Sequence, residues 1–212
     1  MRNALKKGLI FDLDGTLWDT TDRIVPVWNE VLARHGQRTI TKADMLGFMG
    51  KTPEGIARLM LPALSDGDAM AIMRECFREE QICLRQYGGV LYPELEATLT
   101  ALGQQCGLYL VSNCQADYLD TFFAAHGLRR YFDDWETHGN TGLSKAENIR
   151  LIVERNGLDQ AAYVGDTALD KASADEAGIP FIFAAYGFGE VPDARSAVKC
   201  FAELPTCADD IF

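Results

Sequence analysis

A chain of 212 residues, 48% of them hydrophobic, with a formal net charge of −11, has the apolar material for one sizeable core, or for a core with a small accessory domain. The acidic balance excludes a nucleic-acid backbone or an anionic membrane surface as partner, and an anionic substrate would need a metal or a local lysine beside it. No apolar run reaches the ~20 residues of a membrane span. The stretch at residues 1–7 leads directly into a strand and lacks the apolar core of a signal peptide, so a cytoplasmic protein is expected. Six cysteines form no Cys-x-x-Cys and no metal-ligand spacing with the three histidines, which points to reduced thiols.

The first element is the apolar run Leu9-Ile10-Phe11, hydrophobic on both faces and therefore read as an interior strand of a parallel sheet. It stops abruptly at Asp12-Leu13-Asp14-Gly15-Thr16. Such sheets bind ligands beyond the carboxyl ends of their strands. Two carboxylates placed there repel each other unless a cation lies between them, which a simple turn or helix cap does not require.

Beyond Thr16 the period becomes helical. Ile24, Val27, Trp28, Val31 and Leu32 form an apolar face behind Thr21 and Asp22, and His35-Gly36 closes the segment. Further helices are predicted from Thr41, with Asp44 three residues on, from Thr52-Pro53, and over residues 65–87. Cys76 and Cys83 share one face of the last, as packing residues. No strand is expected in this region. The four helices read as an insertion at residues 20–88 in an α/β core made of residues 1–19 and 89–212, with linkers near residues 17–20 and 86–89. Inserted directly after the first strand, they lie above its carboxyl end and cover the acids. The turn Gly50-Lys51-Thr52-Pro53 joins two of them, which makes Lys51 a candidate contact to a substrate's non-reacting part.

From Pro93 strands and helices alternate: a helix at residues 94–102, a strand at 107–111 and a helix at 115–126. An edge strand at 135–137 and a loop at Gly139-Asn140-Thr141-Gly142 follow. The second strand ends in Ser112-Asn113, a hydroxyl and an amide suited to phosphoryl oxygens as well as to a helix cap. Ser144-Lys145-Ala146-Glu147 is a capping box. It places Lys145 in a first helical turn, where a cation opposes the helix dipole by a few tenths of a kcal/mol. A local rule broken in this way marks a functional position. A third polar strand end is Gly165-Asp166-Thr167-Ala168-Leu169-Asp170, and strands at residues 181–184 and 197–201 complete the sheet. Tyr186-Gly187-Phe188-Gly189 is expected to pack as a loop near the site, and Trp18 and Met49 to face the site or a partner. No feature sets an oligomeric state.

The order Asp12-x-Asp14-Gly15-Thr16, Ser112, Lys145, then Gly165-Asp166-x-x-x-Asp170 resembles the four motifs of the haloacid dehalogenase-like (HAD) superfamily. The inserted helices resemble the cap of its phosphoglycolate phosphatase and β-phosphoglucomutase-like members. One departure is Ala146, where many relatives have proline. The resemblance implies a Rossmann-like parallel sheet with a four-helix cap, acting on a small phosphorylated metabolite. It implies Mg²⁺ held by Asp12, the Asp14 carbonyl and Asp166, with Asp170 in support. It makes Asp12 the nucleophile that forms an aspartyl-phosphate, and Asp14 the acid and then the base. Ser112 and Lys145 hold the transferring oxygens, while Thr16, Asn113 and Lys51 bind or orient substrate.

Two alternatives carry different expectations. Sugar phosphomutases of this architecture have a cap histidine about where this chain has Ile24. A phospho-accepting regulatory protein shares the strand-end residue types but has neither the helical insertion nor Asp-x-Asp-Gly-Thr. Dehalogenases of the superfamily lack the second acid, Asp14.

Overall fold

The computed structural model describes residues 5–212; Met1, Arg2, Asn3 and Ala4, where part of the signal-peptide reading falls, lie outside the described residues. In chain order the first elements are β1 (Lys7–Phe11), β2 (Trp18–Asp19), α1 (Thr21–Arg34), α2 (Lys42–Phe48), α3 (Pro53–Met60) and α4 (Asp66–Tyr87). Next come β3 (Val90–Leu91), α5 (Leu95–Leu102), β4 (Gly107–Ser112), α6 (Tyr118–His126), β5 (Asp134–Thr137) and α7 (His138–Thr141). The chain ends with α8 (Lys145–Asn156), β6 (Gln160–Gly165), α9 (Ala168–Ala177), β7 (Phe181–Ala184), β8 (Ser196–Val198) and α10 (Leu204–Ile211).

Six strands form one sheet in the order β5-β4-β1-β6-β7-β8, every neighbouring pair parallel. Phe11 pairs with Leu110 on one side and Val164 on the other. Asp12, Ser112 and Asp166 therefore emerge together just past the carboxyl ends of adjacent strands. Successive side chains point to opposite faces, so Leu9 and Phe11 join one core layer while Ile10 joins another with Tyr109, Tyr163, Ile149 and Ile152. Helices on both faces bury the sheet, as an all-parallel sheet requires.

The cap helices follow from local chemistry. Thr41 and Asp44 close a capping box on α2, Thr52 caps α3 with proline in its first turn, and Ser65 caps α4. Helices α1 and α4 bury their stripes against each other, with Trp28 and Phe77 in edge contact at 5.8 Å between ring centroids.

Four sequence expectations need correction. The linkers are not plain coil: β2 and β3 pair antiparallel, Trp18 with Leu91 and Asp19 with Val90, a ribbon too short to show a period. The Gly139–Gly142 segment contains the single-turn helix α7, held because the Thr137 side chain accepts from Asn140 N and Gly139 N donates to Cys114 O. The last strand stops at Val198, and the chain turns through a 3₁₀ segment, Phe201–Glu203, into α10, which no sequence signal announced. Trp18 faces neither solvent nor cavity: it is fully buried against Tyr118, Phe122 and His126. All six cysteines are free, and among the described residues no helix is long and apolar enough to cross a membrane.

Candidate active site

Asp12 follows β1 directly; its backbone N–H donates to Val164 O at 2.8 Å, which ties it to the neighbouring strand. Its side chain is buried, and Oδ1 lies 3.0 Å from Lys145 Nζ. No hydrogen bond to that oxygen is formed. Burial pushes the carboxyl up to about 6, against the pull of the Lys145 charge. Lys145 starts α8 behind the Ser144–Glu147 capping box and is itself buried. Its ammonium donates to Asp170 Oδ1 at 2.6 Å. Burial alone would lower its pKa, but Asp12 and Asp170 together hold it well above the ordinary lysine range.

Asp170 is fully buried and saturated. Oδ2 accepts from the backbone N–H of Asp166 at 3.2 Å and of Thr167 at 2.9 Å, and from the Thr167 hydroxyl at 2.6 Å, while Oδ1 takes Lys145. It holds the loop that presents Asp166 and fixes the lysine, which leaves it little capacity for anything else.

Asp166 is also fully buried, and burial with the charges of Asp170 and Asp12 pushes its carboxyl well above the usual range. Oδ2 accepts from Phe188 N at 2.8 Å, whereas Oδ1 has only the Thr16 hydroxyl at 3.4 Å. Thr16, read from sequence as a substrate contact, is thus directed at Asp166. The Tyr186–Gly189 loop contributes more than packing: besides the Phe188 N–H, the Tyr186 hydroxyl donates to Thr16 O at 2.9 Å. The close approach demands glycines. Gly15 sits at φ +82, where a Cβ would fall 2.6 Å from Asp166 Cγ, and a Cβ on Gly187 would fall 2.7 Å from Asp166 Oδ2.

Oxygens of Asp12, Asp166 and Asp170 lie within 4.8 Å of one another. Buried hard donors of one sign, with free lone pairs on Asp12 and Asp166, fit a small divalent cation such as Mg²⁺. The saturation of Asp170 makes it a supporting residue, not a direct ligand.

The Asp14 side chain turns away from this cluster toward the cap, where Oδ1 accepts from Tyr118 Oη at 3.1 Å and Thr20 Oγ1 at 3.3 Å. Burial first, then the Asp12 charge, push its carboxyl up to about 7, so a large share is protonated near neutral pH. Ser112 ends β4 and, with Asp12, Asp14 and Asn113, forms the core wall of a cavity of about 60 Å³ beneath the cap. Asn113 Nδ2 donates to Gly50 O at 2.8 Å, a bond between core and cap, and Lys51 lines the opposite wall with Met49. The structure therefore brings together every residue singled out from sequence; Thr16, Asn113 and Asp170 act on neighbouring protein groups.

Sequence reasoning missed Tyr118, the Phe188 N–H and above all Glu80. Glu80 stands on α4 among Met73, Cys76, Phe77 and Leu84, all buried. An acid in the apolar stripe of a helix was the available signal.

The chain is similar to known proteins in sequence and in fold. Residues 9–184 match the family model described as haloacid dehalogenase-like hydrolase, and the chain belongs to that family, among its phosphatases. A plasmid-encoded phosphoglycolate phosphatase of Cupriavidus necator is 30% identical over 191 residues, covering 85% of this chain and 81% of that protein. The phosphoglycolate phosphatase of Rhodobacter capsulatus is 25% identical, covering 87% and 86%. Among solved structures, a predicted phosphoglycolate phosphatase from Haemophilus somnus superposes with a TM-score of 0.84 at 20% identity, covering 97% and 99%. CbbY from Rhodobacter sphaeroides, in complex with xylulose-1,5-bisphosphate, gives 0.76 at 20% identity, covering 95% and 96%. These two show the fold.

Proposed function

We propose that this protein is a Mg²⁺-dependent phosphomonoesterase of the cytoplasm that works through a phosphorylated Asp12. The observation that carries the reading is the pairing of two unlike acids under one cavity: Asp12 lies 3.0 Å from Lys145 with no hydrogen bond to that oxygen, and Asp14 is held by the Tyr118 and Thr20 hydroxyls with its carboxyl pushed up to about 7. Two titratable groups whose environments assign them different tasks are the pattern of an acid–base pair.

In the first half-reaction an Asp12 oxygen bonds to phosphorus, the phosphorus–oxygen bond to the organic group breaks, and the Asp14 proton passes to the departing oxygen. In the second, Asp14 takes a proton from water, the water oxygen bonds to phosphorus, and the Asp12–phosphorus bond breaks. Ser112 and Lys145 stabilise the transferring oxygens, with Lys145 also offsetting the Asp12 charge. Asp12 and Asp166, with the Asp14 carbonyl by family resemblance, are the groups that would hold Mg²⁺. Bound there, the ion would neutralise part of the phosphate charge and let a carboxylate approach an anion.

The cap, divided from the core at residues 19 and 89 where the β2–β3 ribbon lies, excludes bulk water during transfer. Two observations support hydrolysis over phosphomutase chemistry: Ile24 lines the cavity where a mutase would need its histidine, and among the described residues no histidine lines it. Turnover of p-nitrophenyl phosphate with Mg²⁺, lost on adding EDTA, is the expected result. Absence of turnover with Mg²⁺ present would overturn the reading.

A further inference from the structure

Glu80, on α4 of the cap, is buried and lines the same cavity as Asp14, and the mechanism makes no use of it. Both of its hydrogen bonds come from donors: Trp28 Nε1 to Oε2 at 2.7 Å, and Gln115 Nε2 to Oε1 at 3.3 Å. Among the described residues no lysine, arginine or histidine forms an ion pair with it. Burial, reinforced by the Asp14 charge, pushes the carboxyl up to about 8. In its ionised form the group has no counter-charge; in its neutral form its O–H has no acceptor while the Gln115 amide is oriented to donate. Either deficit is costly in an apolar setting. What both forms want is a partner that accepts a proton and then carries positive charge.

We infer that Glu80 reads the organic half of the substrate, and that the class it selects is the short aminoalkyl phosphate, whose ammonium pairs with the Glu80 carboxylate. The inference rests on the phosphatase reading above and adds the substrate class. Aromatic rings of Trp28, Phe77 and Tyr118 line the same cavity, and ring faces favour a cation over an anion. A substrate carboxylate would instead add a further negative charge beside Asp12, Asp14 and Glu80, and among the described residues no arginine lines the cavity to take it in a forked pair. Lys51, the one basic residue lining the cavity among the described residues, follows Gly50, which is bonded to Asn113. A carboxylate-bearing ester therefore tests Lys51 as the competing contact to the organic half. The cavity of about 60 Å³ favours a short organic half, at the ~10–15 Å³ that each water-sized group requires.

Three esters of nearly equal length separate the chemistries: O-phosphoethanolamine, 2-hydroxyethyl phosphate and 2-phosphoglycolate, with p-nitrophenyl phosphate as a control for the reaction itself. On the unaltered protein, kcat/KM is expected to be highest for the amine and at least about tenfold lower for the carboxylate. Glu80→Gln keeps the shape and an acceptor for Trp28, and should reduce the amine-to-hydroxyl ratio of kcat/KM by about tenfold.

Highest activity on 2-phosphoglycolate would overturn the inference. An equal loss on all three esters would do so too, since that is the pattern of a structural tie in which a flipped Gln115 amide accepts the Glu80 proton. If Glu80→Gln does not fold, the ranking on the unaltered protein decides, together with competitive inhibition by ethanolamine but not by glycolate. Failure on p-nitrophenyl phosphate as well would sink the phosphatase reading and this inference with it; turnover of that control with a different ranking sinks this inference alone.

Discussion

Lys145 Nζ stands 3.0 Å from Asp12 Oδ1, and both side chains are withdrawn from solvent. With Asp170 at 2.6 Å on its other side, this lysine bridges two buried carboxylates. Lys145→Met keeps the length and removes the charge, leaving Asp12 and Asp170 without their counter-charge while both stay buried. The expected cost is about 3–5 kcal/mol of unfolding free energy near neutral pH, read from urea unfolding. A cost below about 1 kcal/mol would mean that the pair is relaxed by water and that Lys145 does not anchor the nucleophile.

Metal binding should show as stability. Mg²⁺ relieves repulsion between Asp12 and Asp166 only in the folded chain, so it raises Tm in proportion to the logarithm of its concentration. Asp166→Asn should abolish that shift, because it removes a carboxylate whose Oδ1 is engaged only by the Thr16 hydroxyl at 3.4 Å. An undiminished shift in this variant would place the metal elsewhere.

Glu80 gives a pH signature. Its carboxyl is raised from 4.5 to about 8 on folding, so the folded state keeps a proton that the unfolded chain has already lost. That contribution to stability is fully present below the unfolded value and disappears as pH rises through the folded one. Relative to Glu80→Gln, the unaltered protein should lose stability between roughly pH 5 and pH 8, with a slope approaching ~1.4 kcal/mol per pH unit. Parallel stability profiles for the two proteins would show that Glu80 does not titrate in this way.

Closure of the cap has its own test in Asn113, whose amide reaches Gly50 across the cavity. Asn113→Ala removes one hydrogen bond worth about 1 kcal/mol. It should lower kcat/KM about fivefold through weaker closure, while the cost in stability stays within the ~1 kcal/mol of that one bond. An unchanged kcat/KM would show that this bond does not hold the closed form.

The strand ends were legible because each breaks an apolar run with polar residues inside a few positions: Asp12 after Phe11, Ser112 after Val111, Asp166 after Gly165. Lys145 was legible because its capping box fixed the helix register around it. The ribbon of Trp18–Asp19 and Val90–Leu91 was not, since a two-residue strand has no periodicity. Phe188 acts through its backbone N–H, which no side-chain pattern records, and the Thr16 hydroxyl reaches Asp166 across 150 positions of sequence. Glu80 was hidden by its setting: counted as one more position of a buried helix face, it loses its meaning until the cavity beside it is seen.

The central claim is that Asp12 carries the phosphoryl group between the two half-reactions. The direct measurement is to quench the enzyme with borohydride during turnover of a saturating phosphomonoester and map the modified residue by peptide mass spectrometry. Borohydride reduces an acyl phosphate of aspartate to homoserine, so homoserine should appear at position 12 only when substrate and Mg²⁺ are present, and never in Asp12→Asn. Continued product formation with Asp12 unmodified, or with reduction mapped to another acid, would contradict the account.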